Sequence, residues 1–161
     1  MKRLARPRRA ILRPATVDDM TDMARIWQAI WEHTFRYFFA EGAVYRGGLD
    51  QVRATLEPFI PACVVAVSEG RVVGVGARTG FYIDDLWIDP PFQGHGFGAQ
   101  LLDHLTSAIH KDGHRRATLH VMARNYGARR FYEREGWRFV NHEKQATPQG
   151  EALFCNYERD L

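Results

Sequence analysis

Cysteine is almost absent from this chain of 161 residues. Cys63 and Cys155 stand 92 positions apart and neither belongs to a C-x-x-C pair, so the sequence supports neither a disulfide framework nor a cysteine-based metal site. Long apolar runs are missing as well: no stretch approaches the ~20 residues that cross a bilayer as a helix. No hydrophobic segment follows the basic start, so no secretory signal is read, and a cytoplasmic, reducing setting without a membrane partner is expected. Repeats, linkers and low-complexity tracts are also lacking. A chain of this length then forms one domain, burying about 68 to 70% of its unfolded surface. The seven histidines, including His110 and His114 on either side of Gly113, fall into no ligand spacing, so no metal is expected.

Acid is absent from the first ten positions, where Lys2, Arg3, Arg6, Arg8 and Arg9 supply five of the 22 basic residues. Setting those five aside leaves 17 basic against 19 acidic residues, which turns a net charge of +3 into −2. The body of the domain therefore has no strong attraction to a phosphate backbone, and nucleic acid is not an expected partner. Residues 1–9 read as a basic, flexible arm and residues 10–161 as the single folded domain. Whether the arm is solvated or docks on RNA or a partner stays open.

Hydrophobic spacing sets the elements. A strand is expected at 10–13, with Thr16 and Asp19 spaced as a capping box for the helix that follows. Met20, Met23, Ile26, Trp27, Ile30 and Trp31 then recur on one helical face. A short helix is read at 49–57, stopped before Pro58. Apolar, β-branched runs at 62–67 and 71–77 flank Ser68-Glu69-Gly70, a hairpin signal, and a third strand at 81–88 ends at Asp89-Pro90-Pro91, because proline supplies no ladder N–H. Phe97, Leu101, Leu102, Leu105 and Ile109 mark a helix that Gly113 can end. A strand at 117–122, a helix at 127–135 and strands at 137–144 and 151–159 complete the order β-α-α-β-β-β-α-β-α-β-β. The fold class is α/β (α+β), a mixed sheet covered by helices.

Between the third strand and the long helix lies Gln93-Gly94-His95-Gly96-Phe97-Gly98. Three glycines in five positions let backbone N–H groups approach a ligand, and the following helix directs its free N–H groups and positive dipole end at the same point. This is a phosphate cradle. Gly94 to Ala99 also satisfies the dinucleotide pattern G-x-G-x-x-A, but five residues separate strand from first glycine, and the next strand ends in Ala123-Arg124-Asn125 with no carboxylate for a ribose. A dinucleotide site is the weaker alternative.

The loop resembles the Q/R-x-x-G-x-G/A acetyl-CoA segment of the GCN5-related N-acetyltransferase (GNAT) superfamily. Asn125-Tyr126-Gly127-Ala128-Arg129-Arg130-Phe131-Tyr132-Glu133-Arg134-Glu135-Gly136-Trp137 is similar to that family's later N-x-x-A-x-x-F-Y-E-x-x-G-F segment, and Leu12-Arg13-Pro14-Ala15-Thr16 to its usual start. The resemblance implies a mostly antiparallel sheet of six to seven strands flanked by about four helices. It implies acetyl-CoA as cosubstrate and direct acetyl transfer to a primary amine of a small molecule or peptide. A non-catalytic acyl-CoA-binding module is the rival of a different class, and a homodimer is compatible because relatives often dimerise.

The same resemblance distributes the roles. Gln93, Gly94, His95, Gly96, Phe97 and Gly98 form the cofactor loop, with His95 where many relatives carry Arg or Lys. The backbone of Leu86, Trp87 and Ile88 holds the pantetheine arm and offers an N–H to the thioester oxygen. Asn125 is a helix cap, a pantetheine contact, or both. An alkyl ammonium titrates near ~10.4 and needs a base, and Asp84 and Asp85 are the candidates; as strand neighbours they are expected on opposite faces. By resemblance to polyamine acetyltransferases Asp84 takes the base position, and Tyr132 matches the family tyrosine that protonates the CoA sulfur. Phe35, Tyr37, Phe38, Phe39 and Tyr45 crowd the loop that roofs the acceptor site, which the 144–151 segment also shapes. Polyamine, aminoglycoside, amino acid, peptide N-terminus and protein lysine all remain open as acceptors.

Overall fold

A computed structural model describes residues 9–38 and 48–161 of the protein. Met20, Met23, Ile26, Ile30 and Trp31 share the buried face of α1 (Met20–His33), and Val52 and Leu56 that of α2 (Leu49–Leu56), which passes at Pro58 into a 3-10 turn. The other helices are α3 (Phe97–Lys111) and α4 (Tyr126–Arg134). The strands are β1 (Ile11–Pro14), β2 (Cys63–Ser68), β3 (Arg71–Thr79), β4 (Tyr82–Ile88), β5 (Arg116–Met122), β6 (Arg138–Thr147) and β7 (Gly150–Asp160). Thr16 and Asp19 cap a 3-10 turn ahead of α1: the Thr16 N–H donates to the Asp19 carboxylate at 2.9 Å, and Arg13 grips that carboxylate with both guanidinium nitrogens at 2.7 and 2.8 Å.

The seven strands form one sheet in the order β1-β2-β3-β4-β5-β7-β6. Every pair is antiparallel except β4 with β5. Helices cover both faces. On one, α1 and α2 bury Met23, Ile26 and Val52 against Val65, Val75 and Trp87. On the other, α3 lays Leu102, Leu105 and Ile109 against Ile83 and Leu119, beside Tyr132 of α4. α3 comes close because Gly74 and Gly76 have no side chains: a Cβ at Gly74 would lie 3.0 Å from Leu101 Cδ1 and one at Gly76 2.9 Å from Leu105 Cδ1.

Two irregularities in β4 position the site. The register with β3 slips between Ala77 and Arg78, leaving Asp84 unmatched as a β-bulge. The core shows the result. Ile83 packs with α3 whereas Trp87, four residues on, packs with α1, and a regular strand would put both on one face. Asp84 and Asp85 therefore do not alternate across the sheet as strand neighbours ordinarily do. The second irregularity is that β4 meets β5 only at Tyr82 and Thr118. A bulge bends and twists its strand, and here the two parallel strands diverge past it, opening a cleft in the sheet.

Candidate active site

The chain leaves β4 through a 3-10 turn, Pro90–Phe92, and enters the glycine loop. Gln93 turns back to donate from Nε2 to the Ile88 carbonyl at 3.1 Å. Gly94 and Gly96 have φ of 77° and 86°, left-handed values at which a side chain is strained. Gly96 is also the N-cap of α3, and no side chain caps that helix or places an acid in its first turn. The N–H groups of Phe97, Gly98 and Ala99 and the positive dipole end are left for an anion. Gly98 has a packing role besides: a Cβ there would meet Phe131 Cζ at 3.4 Å and Ile88 Cγ1 at 3.6 Å. His95 is exposed and lies near the Gln93 carbonyl, Nδ1 to O 3.0 Å.

The backbone of Leu86, Trp87 and Ile88 borders the cleft on the side where β4 has left β5. Asp84 is exposed and accepts from Thr79 Oγ1 at 2.8 Å. Asp85 is half-buried, and its carboxyl is pushed up to about 6, first by burial and then by the Asp84 charge, with the Trp87 side chain pulling the other way. The same acids and burial push the Cys63 thiol up to about 11, which leaves it inert.

Past the cleft, α4 is capped: Asn125 Oδ1 accepts from the Ala128 N–H at 3.1 Å. Tyr132 is buried, with ring centroids 6.0 Å from Trp137 and 6.4 Å from Tyr157. Burial, then the charges of Asp85 and Tyr82, push its phenol above the ordinary range, so the site keeps it protonated. Sequence reasoning missed what holds α4. Arg129 donates to the Ala123 carbonyl at 3.1 Å and to the Tyr157 hydroxyl at 3.3 Å, and that hydroxyl donates to Glu133 at 2.8 Å. Tyr157 lies 24 residues or more from both partners, and no local signal reports such a contact.

His120 was also missed, although its alternation with Leu119 and Val121 could have marked it as facing away from α3. It lies between Tyr82 and Phe154, centroids 5.7 and 4.6 Å away, with Gln145 Nε2 3.4 Å from Nδ1, and burial lowers its pKa. Beyond the end of β5 a cavity of about 600 Å³ is lined by Phe38, Met122, Arg124, Lys144, Glu151 and Leu153, among others. The 144–151 segment thus borders a pocket, as does the aromatic stretch through Phe38; Phe39 and Tyr45 lie outside the described residues. Among the described residues no group of three His, Cys, Asp or Glu side chains could hold a metal, and no helix is long and apolar enough to cross a membrane.

Residues 50–148 match the Acetyltransferase (GNAT) domain family. The chain belongs to that family. It is 31% identical over 118 residues, 72% of this chain and 77% of the other, to the peptidyl-lysine N-acetyltransferase YjaB of Salmonella typhimurium. A GCN5-related N-acetyltransferase from Rhodopseudomonas palustris shares its fold with a TM-score of 0.77 at 18% identity, over 95% of this chain and 96% of that one. Apo YjaB from Escherichia coli does so at 0.72 and 22%, over 92% and 96%, and yncA from Salmonella typhimurium, solved with acetyl-CoA, at 0.70 and 16%, over 94% of each chain. This GNAT chain is accordingly an N-acetyltransferase, its seven-stranded sheet and four helices fall within the expected six to seven strands and about four helices, and the dinucleotide and non-catalytic alternatives are set aside.

Proposed function

We propose that this protein passes an acetyl group from acetyl-CoA directly to a primary amine of a small molecule or peptide. The observation that carries the reading is the cleft between β4 and β5, which opens past the single pair Tyr82 and Thr118, with the uncapped α3 following β4 and with Asp85 near enough to Tyr132 for its charge to help raise the phenol. The residues fit the cosubstrate. Backbone donors at Gly94, Gly96 and the first turn of α3 suit a pyrophosphate, and the free edge of Leu86, Trp87 and Ile88 suits the amides of a pantetheine arm. Acetyl-CoA supplies an activated thioester; the remaining chemistry falls to the chain.

Asp85 accepts the proton of the incoming ammonium. Its position near 6 leaves it ionised at neutral pH yet far more basic than an exposed carboxylate, which favours it over Asp84 for this role. The β4 edge presents an N–H to the thioester oxygen as charge gathers there. Tyr132 gives its phenolic proton to the sulfur as the N–C bond forms and the C–S bond breaks, and solvent returns the proton. Asn125 supports both α4 and, through its remaining amide, the pantetheine. The free, buried thiols Cys63 and Cys155 suit a reducing cytoplasm.

Thiol release from acetyl-CoA, measured across polyamines, aminoglycosides, amino acids and lysine peptides, tests the reading. Amine-dependent release from at least one class is expected. Acetyl-CoA binding without release across the whole panel would overturn it.

A further inference from the structure

The cavity of about 600 Å³ beyond β5 has no part in the chemistry so far. Three segments wall it: Phe38 after α1, Met122 and Arg124 at the end of β5, and Lys144, Glu151 and Leu153 on the β6–β7 hairpin. Strand pairing gives its place relative to the cleft. β4 and β5 run parallel from Tyr82 and Thr118, so counting on along both sets Met122 to Arg124 about level with the Leu86 to Ile88 edge. An amine that meets a thioester held on that edge has the rest of its body beside the cavity.

Of the charged side chains lining the cavity, two answer each other: Lys144 Nζ lies 3.3 Å from Glu151 Oε1. Arg124 is the charge left over. It is exposed, and among the described residues its guanidinium has neither an ion pair nor a hydrogen-bond partner. Arg129, in α4, is by contrast held by the Ala123 carbonyl and the Tyr157 hydroxyl. The acids near the cleft do not line the cavity: Glu143 accepts from Asn156 Nδ2 at 3.0 Å and Asp84 from Thr79 Oγ1 at 2.8 Å. Two cations against one anion repel a second ammonium, whereas a planar guanidinium without a partner suits a carboxylate, which it can grip with two N–H groups. A cavity of this volume is of the size that holds a small molecule. We infer that the acceptor is a small amine that also bears a carboxylate, an amino acid, and that Arg124 determines specificity by binding that carboxylate. This rests on the acetyl-transfer reading of the cleft. The transfer itself is unchanged: the ammonium loses a proton, the N–C bond forms as the C–S bond breaks, and the carboxylate stays as it was.

Thiol release from acetyl-CoA is measured with ω-amino acids of increasing chain length, each beside the alkylamine and the α,ω-diamine of the same length. At the best length kcat/KM should fall from amino acid to alkylamine to diamine. Arg124→Gln should raise KM for the amino acid about five- to tenfold, a charge-assisted contact discounted for exposure, and leave the alkylamine within about twofold. Arg124→Lys, which keeps the charge and loses the fork, should recover part of the difference. Glu151→Gln frees Lys144 and should lower KM for the amino acid about twofold, a gain that damage to the fold would not produce. Matched melting curves verify folding. Equal effects of Arg124→Gln on amino acid and alkylamine, or diamines as the better acceptors, would overturn the inference alone. So would turnover of lysine peptides with none of any free amine. Binding of acetyl-CoA with no thiol release from any acceptor would overturn the acetyl-transfer reading and this inference with it.

Discussion

At the scale of single residues, Asp84 and Asp85 are distinguished by one slip of register. The bulge leaves Asp84 in solvent against Thr79 and half-buries Asp85, and that burial raises the basicity of the Asp85 carboxylate. Nothing in Tyr-Ile-Asp-Asp-Leu-Trp announces a bulge, because the extra residue is defined by the partner strand, and local alternation therefore misassigns the faces. Burial raises the Asp85 pKa from 3.8 to about 6, so the folded state holds the proton more tightly. Stability from this group is full below ~4, is lost as pH rises to about 6, and above that the ionised carboxylate costs roughly 2 to 3 kcal/mol. Asp85→Asn is therefore expected to raise Tm at pH 8 but not at pH 4, while removing the rise in rate with pH expected of the wild type near 6. Melting curves at both pH values and a pH–rate profile check this; an unchanged profile would return the base to Asp84. Tyr132→Phe should lower kcat by ~10²-fold or more with acetyl-CoA affinity little altered, if the phenol protonates the sulfur. Near-normal turnover from a folded variant would reduce Tyr132 to a packing residue.

At the scale of elements, two helices are finished in opposite ways for opposite tasks. α4 satisfies its own first turn with Asn125, whereas α3 leaves its own open. Gly96→Glu would impose a side chain at φ 86° and a negative charge at the same terminus, and acetyl-CoA affinity should collapse while α3 persists; calorimetry with circular dichroism separates the two effects. Asn125→Ala should cost about 1 kcal/mol of stability, read from urea unfolding, and lower kcat because the cap orients the turn leading to Tyr132. The existence of these elements was legible. Helical spacing in 20–31 and 97–109 and β-branched runs at 62–67 and 71–77 are local signals, and the two glycine-bearing motifs marked both helix starts. What each helix end binds was half legible: the glycines announced the cradle, but nothing announced that Gly98 also makes room for Phe131.

At the scale of the whole molecule, the cleft exists because the sheet is complete everywhere else. β7 inserts between β5 and β6, so β5 gains a full antiparallel partner on one side and can part from β4 on the other. Neither the insertion nor the parting could be read from the chain, since both depend on pairings across many residues. The same is true of the tie that keeps the two halves aligned. Asp89, 2% exposed at the end of β4, accepts from Arg25 of α1 at 2.9 Å and approaches Arg71 of β3 at 3.6 Å, while its own N–H donates to the Val73 carbonyl at 2.9 Å. One carboxylate thus fastens a helix of one layer and the central sheet to the residue from which the cofactor loop departs. Removing a partner from a buried pair costs about 3–5 kcal/mol, and because Arg25 and Arg71 are themselves partly exposed the cost here is discounted to about 2 to 4 kcal/mol. Asp89→Ala should lower Tm by roughly 4 to 15 °C and weaken acetyl-CoA binding without touching the ligand, whereas Arg71→Ala, which loses the longer ion pair and the contact over the Phe92 ring, should cost about 1 kcal/mol. Calorimetric melting and acetyl-CoA titration of both variants check this. An Asp89→Ala protein that melts within a degree or two of wild type would mean that apolar packing alone aligns the loop with the cleft.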